Sequence, residues 1–133
     1  MAHQAQTEAL TGGQLNAAIS NMIVRCFAEY TGRGPTRART SFRDDVILCI
    51  LEDTLTKAER SLVQAGREQL VLDTRRAFQS TMRDELVAAV EELSERRVIA
   101  FMSDNHIDPD IATESFVLEP LPLALAAENG ADA

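Results

Sequence analysis

The stretch TGRGPTRARTSFRDDVILCIL, residues 31–51, ends one helix and begins two strands. Glycine accepts the left-handed backbone of a helix cap and proline prevents continuation, so TGRGP predicts a helix end. From Arg37 to Arg43, arginine or serine stands at every odd position, and alanine, threonine or phenylalanine at every even one. This alternation predicts a strand with one face toward a core. RDD predicts a turn, and VILCIL predicts a second, fully buried strand. A helix followed by a hairpin is therefore expected here.

The rest of the chain repeats this order loosely. Apolar residues recur at spacings of three and four over residues 14–30, which predicts the first helix. The strand RRVIAFMSD (96–104), the polar connection NHIDPDIAT (105–113) and the strand ESFVLEP (114–120) form a second strand pair. We therefore predict an α+β fold in which two helix–strand–strand units are joined by a helix. Its four-stranded, mostly antiparallel sheet carries the helices on one face.

The connection between the two units is predicted to be helical. Thr56 and Glu59 have the spacing of a capping box, so a helix should run from Lys57 to about Ala65. Gly66 either ends or kinks it, and a long helix follows over residues 67–95. At about 1.5 Å per residue this helix is on the order of 40 Å long, more than the width of so small a domain. A homodimer formed through the long helix is the expected consequence.

Such a dimer would also be electrostatically favourable. Arg75 and Arg76 lie in the first half of the long helix. Residues 84–133 hold twelve acidic and only two basic side chains. Antiparallel packing of two copies would set the two arginines beside the acidic second half of the neighbouring helix.

Length and composition indicate one domain, expected at residues 14–120, with flexible segments at 1–13 and 121–133. The 133-residue chain has a formal net charge of -8. That charge argues against general nucleic-acid binding. No apolar run is long enough to span a bilayer, so we expect no direct membrane insertion and a cytoplasmic location. The free thiols of Cys26 and Cys49 are expected to be buried, because both lie in apolar surroundings.

Against this acidic background, one short segment is strongly positive. Its arginines are candidates for binding a partner protein or an anion, because the planar guanidinium makes paired, charge-assisted hydrogen bonds. A solvated strand face that discourages edge-to-edge pairing is the structural alternative. The candidate binding residues are Arg33, Gly34, Arg37, Arg39 and Arg43.

Catalytic and metal-binding patterns are not recognised in the sequence. The histidines are His3 and His106, and neither forms a set with a nucleophile and an acid. SDNHIDPD places Asp104 and His106 in one loop with two further aspartates, but it lacks the glycine and the closing glutamate of a calcium loop. GRGP precedes a strand, the reverse of the order in a phosphate loop. We expect no enzyme, no metal and no cofactor.

The order of several short motifs resembles the MpsC-like family. Members show Gly-x-Gly-Pro after the first helix, then Leu-Thr-x-x-Glu at a helix start, an arginine matched here by Arg75 or Arg76, and a strand that ends near Ser-Asp. The matching structural positions here are Gly32, Gly34, Pro35, Leu55, Thr56, Glu59, Ser103 and Asp104. The resemblance spans about residues 14–119.

The family is named for a component of a sodium-translocating, membrane-potential-generating system associated with bicarbonate uptake. The resemblance implies an accessory or regulatory subunit that acts by protein contact, with a membrane transport protein as partner at the inner membrane face. The alternative is a homodimer that senses a small anion such as bicarbonate or a nucleotide. A thermal shift that appears with one anion only, and is lost when the arginines are replaced, would distinguish the alternative.

Overall fold

The computed structural model describes residues 10–122. The elements are α1 (Gly12–Thr31), β1 (Arg37–Arg43), β2 (Val46–Glu52), α2 (Lys57–Gln64), α3 (Glu68–Ser94), β3 (Val98–His106) and β4 (Ile111–Leu118). This order confirms the predicted α+β fold of two helix–strand–strand units joined by helical segments. The predicted flexible ends fall mostly outside the described residues, although Gly12 and Gly13 already belong to α1.

The four strands form one antiparallel sheet in the order β1-β2-β4-β3. The two hairpins therefore meet through their second strands, which lie at the centre. Helices α1 and α3 cover one face, and α2 packs against α3. The core between helices and sheet includes Ile19, Phe27, Ile47, Leu86 and Phe116, all fully buried.

Local signals explain where the helices end. Gly32 caps α1 with φ at +80°, a left-handed conformation that glycine adopts without a Cβ clash. Thr56 accepts a hydrogen bond from the backbone N–H of Glu59, and the Glu59 carboxylate accepts one from the backbone N–H of Thr56. This is the predicted capping box. The chain turns at Gly66, so α2 and α3 are two helices.

The prediction that the second strand is fully buried is wrong. Along β2, the side chains of Ile47, Cys49 and Leu51 are buried, whereas those of Val46, Leu48 and Ile50 are exposed or half-buried. The reason is that the helices cover only one face of the sheet. An antiparallel sheet covered on one side has strands that alternate in burial.

The extent of the third strand is also corrected, and the burial of the long helix bears on the argument from its length. Strand β3 continues to His106, so Asp104 and His106 lie in a strand, and the connection to β4 is the short turn 107–110. Helix α3 is buried within its own chain from Val71 near its start to Val90 near its end. Its 27 residues are thus accommodated by one copy, and its length alone does not call for a second.

Candidate functional site

The side of the sheet away from the helices, called the outer face here, is open to solvent. Its side chains are exposed or half-buried in all four strands. The strand register aligns them in four rows across the sheet. In the order β1, β2, β4, β3, these rows are Arg37, Glu52, Ile111, His106; Arg39, Ile50, Thr113, Asp104; Ser41, Leu48, Ser115, Met102; and Arg43, Val46, Val117, Ala100.

The middle of the outer face is largely apolar. Val46 and Met102 keep 42% and 55% of their surface accessible, and Leu48, Ile50 and Val117 are half-buried beside them. Isolated exposed apolar residues are common, but a continuous apolar patch on a protein surface marks an interaction site. The outer face has such a patch on β2 and β4, with the arginines of β1 along one edge and Met102 of the edge strand β3 extending it at the other.

Three of the predicted arginines line one edge of this patch. Arg37, Arg39 and Arg43 are exposed at alternate positions of β1. Arg37 forms an ion pair with Glu52 across the strands, with 3.3 Å between Nε and Oε2. Within residues 10–122, neither Arg39 nor Arg43 has an ion-pair partner. Their charge is therefore available for contact with another molecule.

The fourth predicted arginine, Arg33, lies in the loop before β1 and is held by its own chain. Its guanidinium donates to the carbonyl oxygens of Asp53 (2.7 Å) and Leu55 (3.1 Å) and to the Asp53 carboxylate. These bonds tie the end of α1 to the β2–α2 connection, and they hold the pKa of Asp53 below its usual value. The structure thus separates Arg33 from the three arginines of β1.

The motif residues before β1 pack closely against α1. A Cβ atom on Gly34 would lie 3.1 Å from both the Val24 side chain and the Val24 carbonyl oxygen. Such contacts are tighter than ordinary van der Waals separation, so a residue without a side chain suits this position. Pro35 is buried directly after it. Gly34 is therefore a packing residue here, and its backbone lies next to the partly buried Arg33.

The motif residues after β2 are linked to the turn between β3 and β4. The Asp110 carboxylate accepts hydrogen bonds from the Thr54 hydroxyl and from the backbone N–H of Leu55, both at 2.9 Å. Leu55 itself is buried. The predicted polar turn thus holds the start of α2 in place.

A buried ion pair lies under this connection. Arg75 is completely buried, and its guanidinium donates to both oxygens of Glu59, at 2.6 and 2.7 Å, and to the Thr54 carbonyl oxygen. Burial by itself raises the pKa of Glu59, but the bonds from Arg75 and Thr56 outweigh it and lower that pKa. The expectation that Arg75 pairs with a neighbouring copy is wrong, because its charge is neutralised inside its own chain.

Glu114 of β4 is a buried carboxyl that the sequence reading did not select. It faces the helices between its cross-strand neighbours Cys49 and Ser103. The Ser103 hydroxyl and the Gln79 amide donate to it, and Gln79 also exchanges hydrogen bonds with Asn105. Burial raises the pKa of Glu114 to about 8, although these bonds and the nearby Arg75 charge oppose the shift.

A pattern in the sequence could have identified Arg75 and Gln79. The buried side of α3 consists of Val71, Arg75, Gln79, Met82, Leu86 and Val90. Arg75 and Gln79 follow Val71 at intervals of four, the spacing of the apolar side of the helix. Their position in this pattern indicates that both polar side chains are buried. Glu114 carries the same signal in β4, where Ala112, Phe116 and Leu118 share its parity.

The two cysteines are buried and unpaired, as predicted. The Cys26 thiol donates to Glu85 at 3.3 Å, at the edge of a depression of about 260 Å³ between α1 and α3. Burial raises the pKa of Cys26 to about 12, with the Glu85 contact adding to the shift. A thiol with this pKa is a poor nucleophile at neutral pH.

Histidine, cysteine, aspartate and glutamate side chains are the usual metal ligands in proteins. Residues 10–122 contain no cluster of three or more histidine, cysteine, aspartate or glutamate side chains that could hold a metal ion. His106 is exposed, and its Nδ1 lies 2.8 Å from the Pro109 carbonyl oxygen. Across the same residues, none of the three helices has both the length and the apolar character needed to cross a bilayer.

Comparison with known proteins shows which family the chain resembles. No curated protein and no solved structure matches the chain. A family profile described as "Na+-translocating membrane potential-generating system (MpsC)" matches residues 11–120. This range contains every element from α1 to β4, together with the arginines of the outer face. Because the match covers most of the 133 residues, the chain belongs to the MpsC family.

Proposed function

We propose that this protein is an accessory or regulatory subunit of a membrane ion-transport system and acts by protein contact on the cytoplasmic side. The observation that carries the proposal is the outer face, an apolar patch edged by the exposed arginines of β1. Apolar area supplies affinity, and charges at the rim steer association and select the partner. The family description supports the connection to sodium translocation and membrane potential.

The arrangement of the arginines favours an extended protein surface over a small anion as the ligand. Arg37, Arg39 and Arg43 follow one strand at intervals of two and four residues, so they span on the order of 20 Å. A small anion is normally held in a concave site where donors converge. An acidic surface with apolar residues beside it matches the spread of these charges better.

The first test is affinity capture of the tagged full-length protein from gently solubilised native membranes, followed by identification of the bound proteins. The wild type should recover an integral-membrane ion-transport protein. Replacement of all three arginines of β1 by glutamine should abolish that recovery, because it removes the positive edge without adding negative charge. The matched control replaces the exposed Arg25, Arg76 and Arg83, which lie on the helices, by glutamine and should retain it.

Circular dichroism should show that both triple variants keep the wild-type helix content. Undiminished recovery of the transport protein by the β1 variant would contradict the use of the outer face. If the wild type recovered no integral-membrane transport protein at all, the accessory role itself would be wrong.

A further inference from the structure

We infer that the outer face binds the outer face of a second copy of the same chain. The two copies are related by a two-fold axis parallel to the strands. The inference rests on the proposed function in taking the outer face as a contact surface: a second copy covers the apolar patch, and the transport partner contacts the arginines left at the rim of the dimer. Three features support this dimer: the charge pattern across the sheet, the size of the face and the state of the sheet edges.

The charge pattern is complementary to itself in one orientation only. Arg39 on β1 and Asp104 on β3 stand at opposite ends of one row across the sheet. A two-fold axis parallel to the strands turns the second copy so that its β3 faces β1 of the first. Arg39 of each copy then faces Asp104 of the other, which gives two ion pairs across the interface. A two-fold axis across the strands would instead place arginines against arginines.

The same orientation brings the apolar rows together. Val46 of one copy faces Val117 of the other, and Leu48 faces Ser115 within the central strands. Packed antiparallel sheets keep their strand directions within about 30° of each other, so the central rows remain in register and the long arginine side chains reach across the edges. The exposed Met102 also becomes covered, next to Ser41 of the other copy.

The size of the face is sufficient for a weak, specific dimer. Four strands about 4.8 Å apart and about eight residues long give a flat area on the order of 500 Å² per copy. Two such faces bury about 1,000 Å², which is about the minimum for a biological interface and typical of weak association. Because buried area does not by itself fix the affinity, the dissociation constant has to be measured at concentrations that also reveal a weak dimer.

Other self-association surfaces are less suitable. The edge strand β3 has a register irregularity between Val98 and Ala100, and such bulges hinder the addition of another strand. The edge strand β1 carries the arginines, which also discourage pairing. On α3, Leu70 is the exposed large apolar residue, and its surroundings are charged. The sheet thus offers a more continuous apolar surface than the long helix.

In this dimer the arginines divide into two groups. Arg39 is used between the copies. Arg43 stands in the row that ends at Ala100, and Arg37 stands in the row that ends at His106, so neither meets an acidic side chain at the opposite end. Arg37 and Arg43 therefore remain at the rim of the dimer, where a transport partner can reach them.

Sedimentation velocity of the full chain over about 1–200 µM tests the inference. The wild type should show a concentration-dependent dimer. Val46→Asp should raise the dissociation constant at least about tenfold, because it places a charge on a central strand of the interface, opposite Val117 of the other copy. This change should be tolerated in the free chain, since Val46 is exposed and lies opposite Arg43.

A charge exchange tests the orientation of the two copies. Arg39→Asp and Asp104→Arg should each weaken the dimer, and the double variant should restore it. Within one chain the two residues are three strand spacings apart, about 14 Å, so restoration has to arise between copies. Arg83→Asp on α3 is the control and should leave the dimer unchanged.

Three results would overturn the inference: a wild type that remains monomeric at about 200 µM, a dimer insensitive to both Val46→Asp and Arg39→Asp, or a dimer lost in Arg83→Asp instead. The double variant Arg37→Gln/Arg43→Gln separates this inference from the proposed function. It should remain dimeric and fail to capture the transport protein. A monomeric wild type that still captures the transport protein would contradict the dimer and leave the accessory role intact. A dimeric wild type that captures no transport protein would contradict the accessory role and leave the dimer intact.

Discussion

At the scale of single residues, Arg75 and Glu59 form a buried ion pair in the described part of the chain. Arg75 is fully buried and Glu59 is 8% exposed, so each charge depends on the other for compensation. The Nη1 atom of Arg75 has no hydrogen-bond partner there, and the guanidinium packs 5.5 Å from the centre of the Phe78 ring. The neighbouring Arg76 is exposed, which makes it a matched control.

Arg75→Met should lower the free energy of unfolding by about 3–5 kcal/mol, because it leaves the Glu59 carboxylate buried without its partner. Arg76→Met should change it by less than about 0.5 kcal/mol. Urea denaturation followed by circular dichroism measures both values. Equal effects of the two substitutions would mean that the buried pair does not hold α2 against α3.

Glu114 predicts a stability that depends on pH. Its pKa is about 8 in the folded chain and near 4.5 when unfolded, so the folded state keeps a proton that the unfolded state releases. The contribution of the Glu114 carboxyl to the free energy of unfolding is therefore largest below about pH 4.5, and it falls as the pH rises to about 8. The total change is at most on the order of 5 kcal/mol.

Glu114→Gln should remove this dependence, because the amide stays neutral at every pH. The stability of the variant relative to the wild type should rise by several kcal/mol between pH 5 and pH 8.5. Urea denaturation at four pH values checks it, with Glu92→Gln on the exposed side of α3 as control. Parallel pH profiles for wild type and Glu114→Gln would show that burial does not hold the proton on Glu114.

At the scale of secondary structure elements, the helix starts and ends were predictable because their signals are local. The capping box of α2 depends on two residues three positions apart, and the cap of α1 depends on the backbone freedom of Gly32. The burial of β2 was not predictable in the same way. Its run of apolar residues is compatible with one covered face or two, and only the position of the helices distinguishes them.

Thr56→Ala should destabilise the protein by about 1 kcal/mol, because the Thr56 hydroxyl caps the backbone N–H of Glu59. Thr56→Ser keeps the hydroxyl and should retain most of the stability. Thermal denaturation of the two variants beside the wild type measures the difference. A Thr56→Ala variant as stable as Thr56→Ser would show that the cap contributes little to the start of α2.

At the scale of the whole molecule, the open sheet face relates the charge distribution to the proposed function. The chain is acidic overall, with a net charge of -8, yet it exposes an arginine edge beside an apolar patch. The acidic residues of α3, such as Asp84 and Glu85, lie on the helical side. In the proposed dimer, Arg39 of each copy would meet Asp104 of the other, while the acidic residues of α3 remain outside the interface.

The order of helices and strands, the capping box, the alternation of β1 and the motif order that indicated the family were all predictable from the sequence. These properties depend on residues close together in the chain, where periodicity and backbone preference act directly. That Arg33 and Arg75 are held within the chain, and that Arg39 shares a row with Asp104, became visible only in the folded chain. Those relations join residues far apart in the sequence, and the packing of the helices on one face of the sheet and the register of its strands set them.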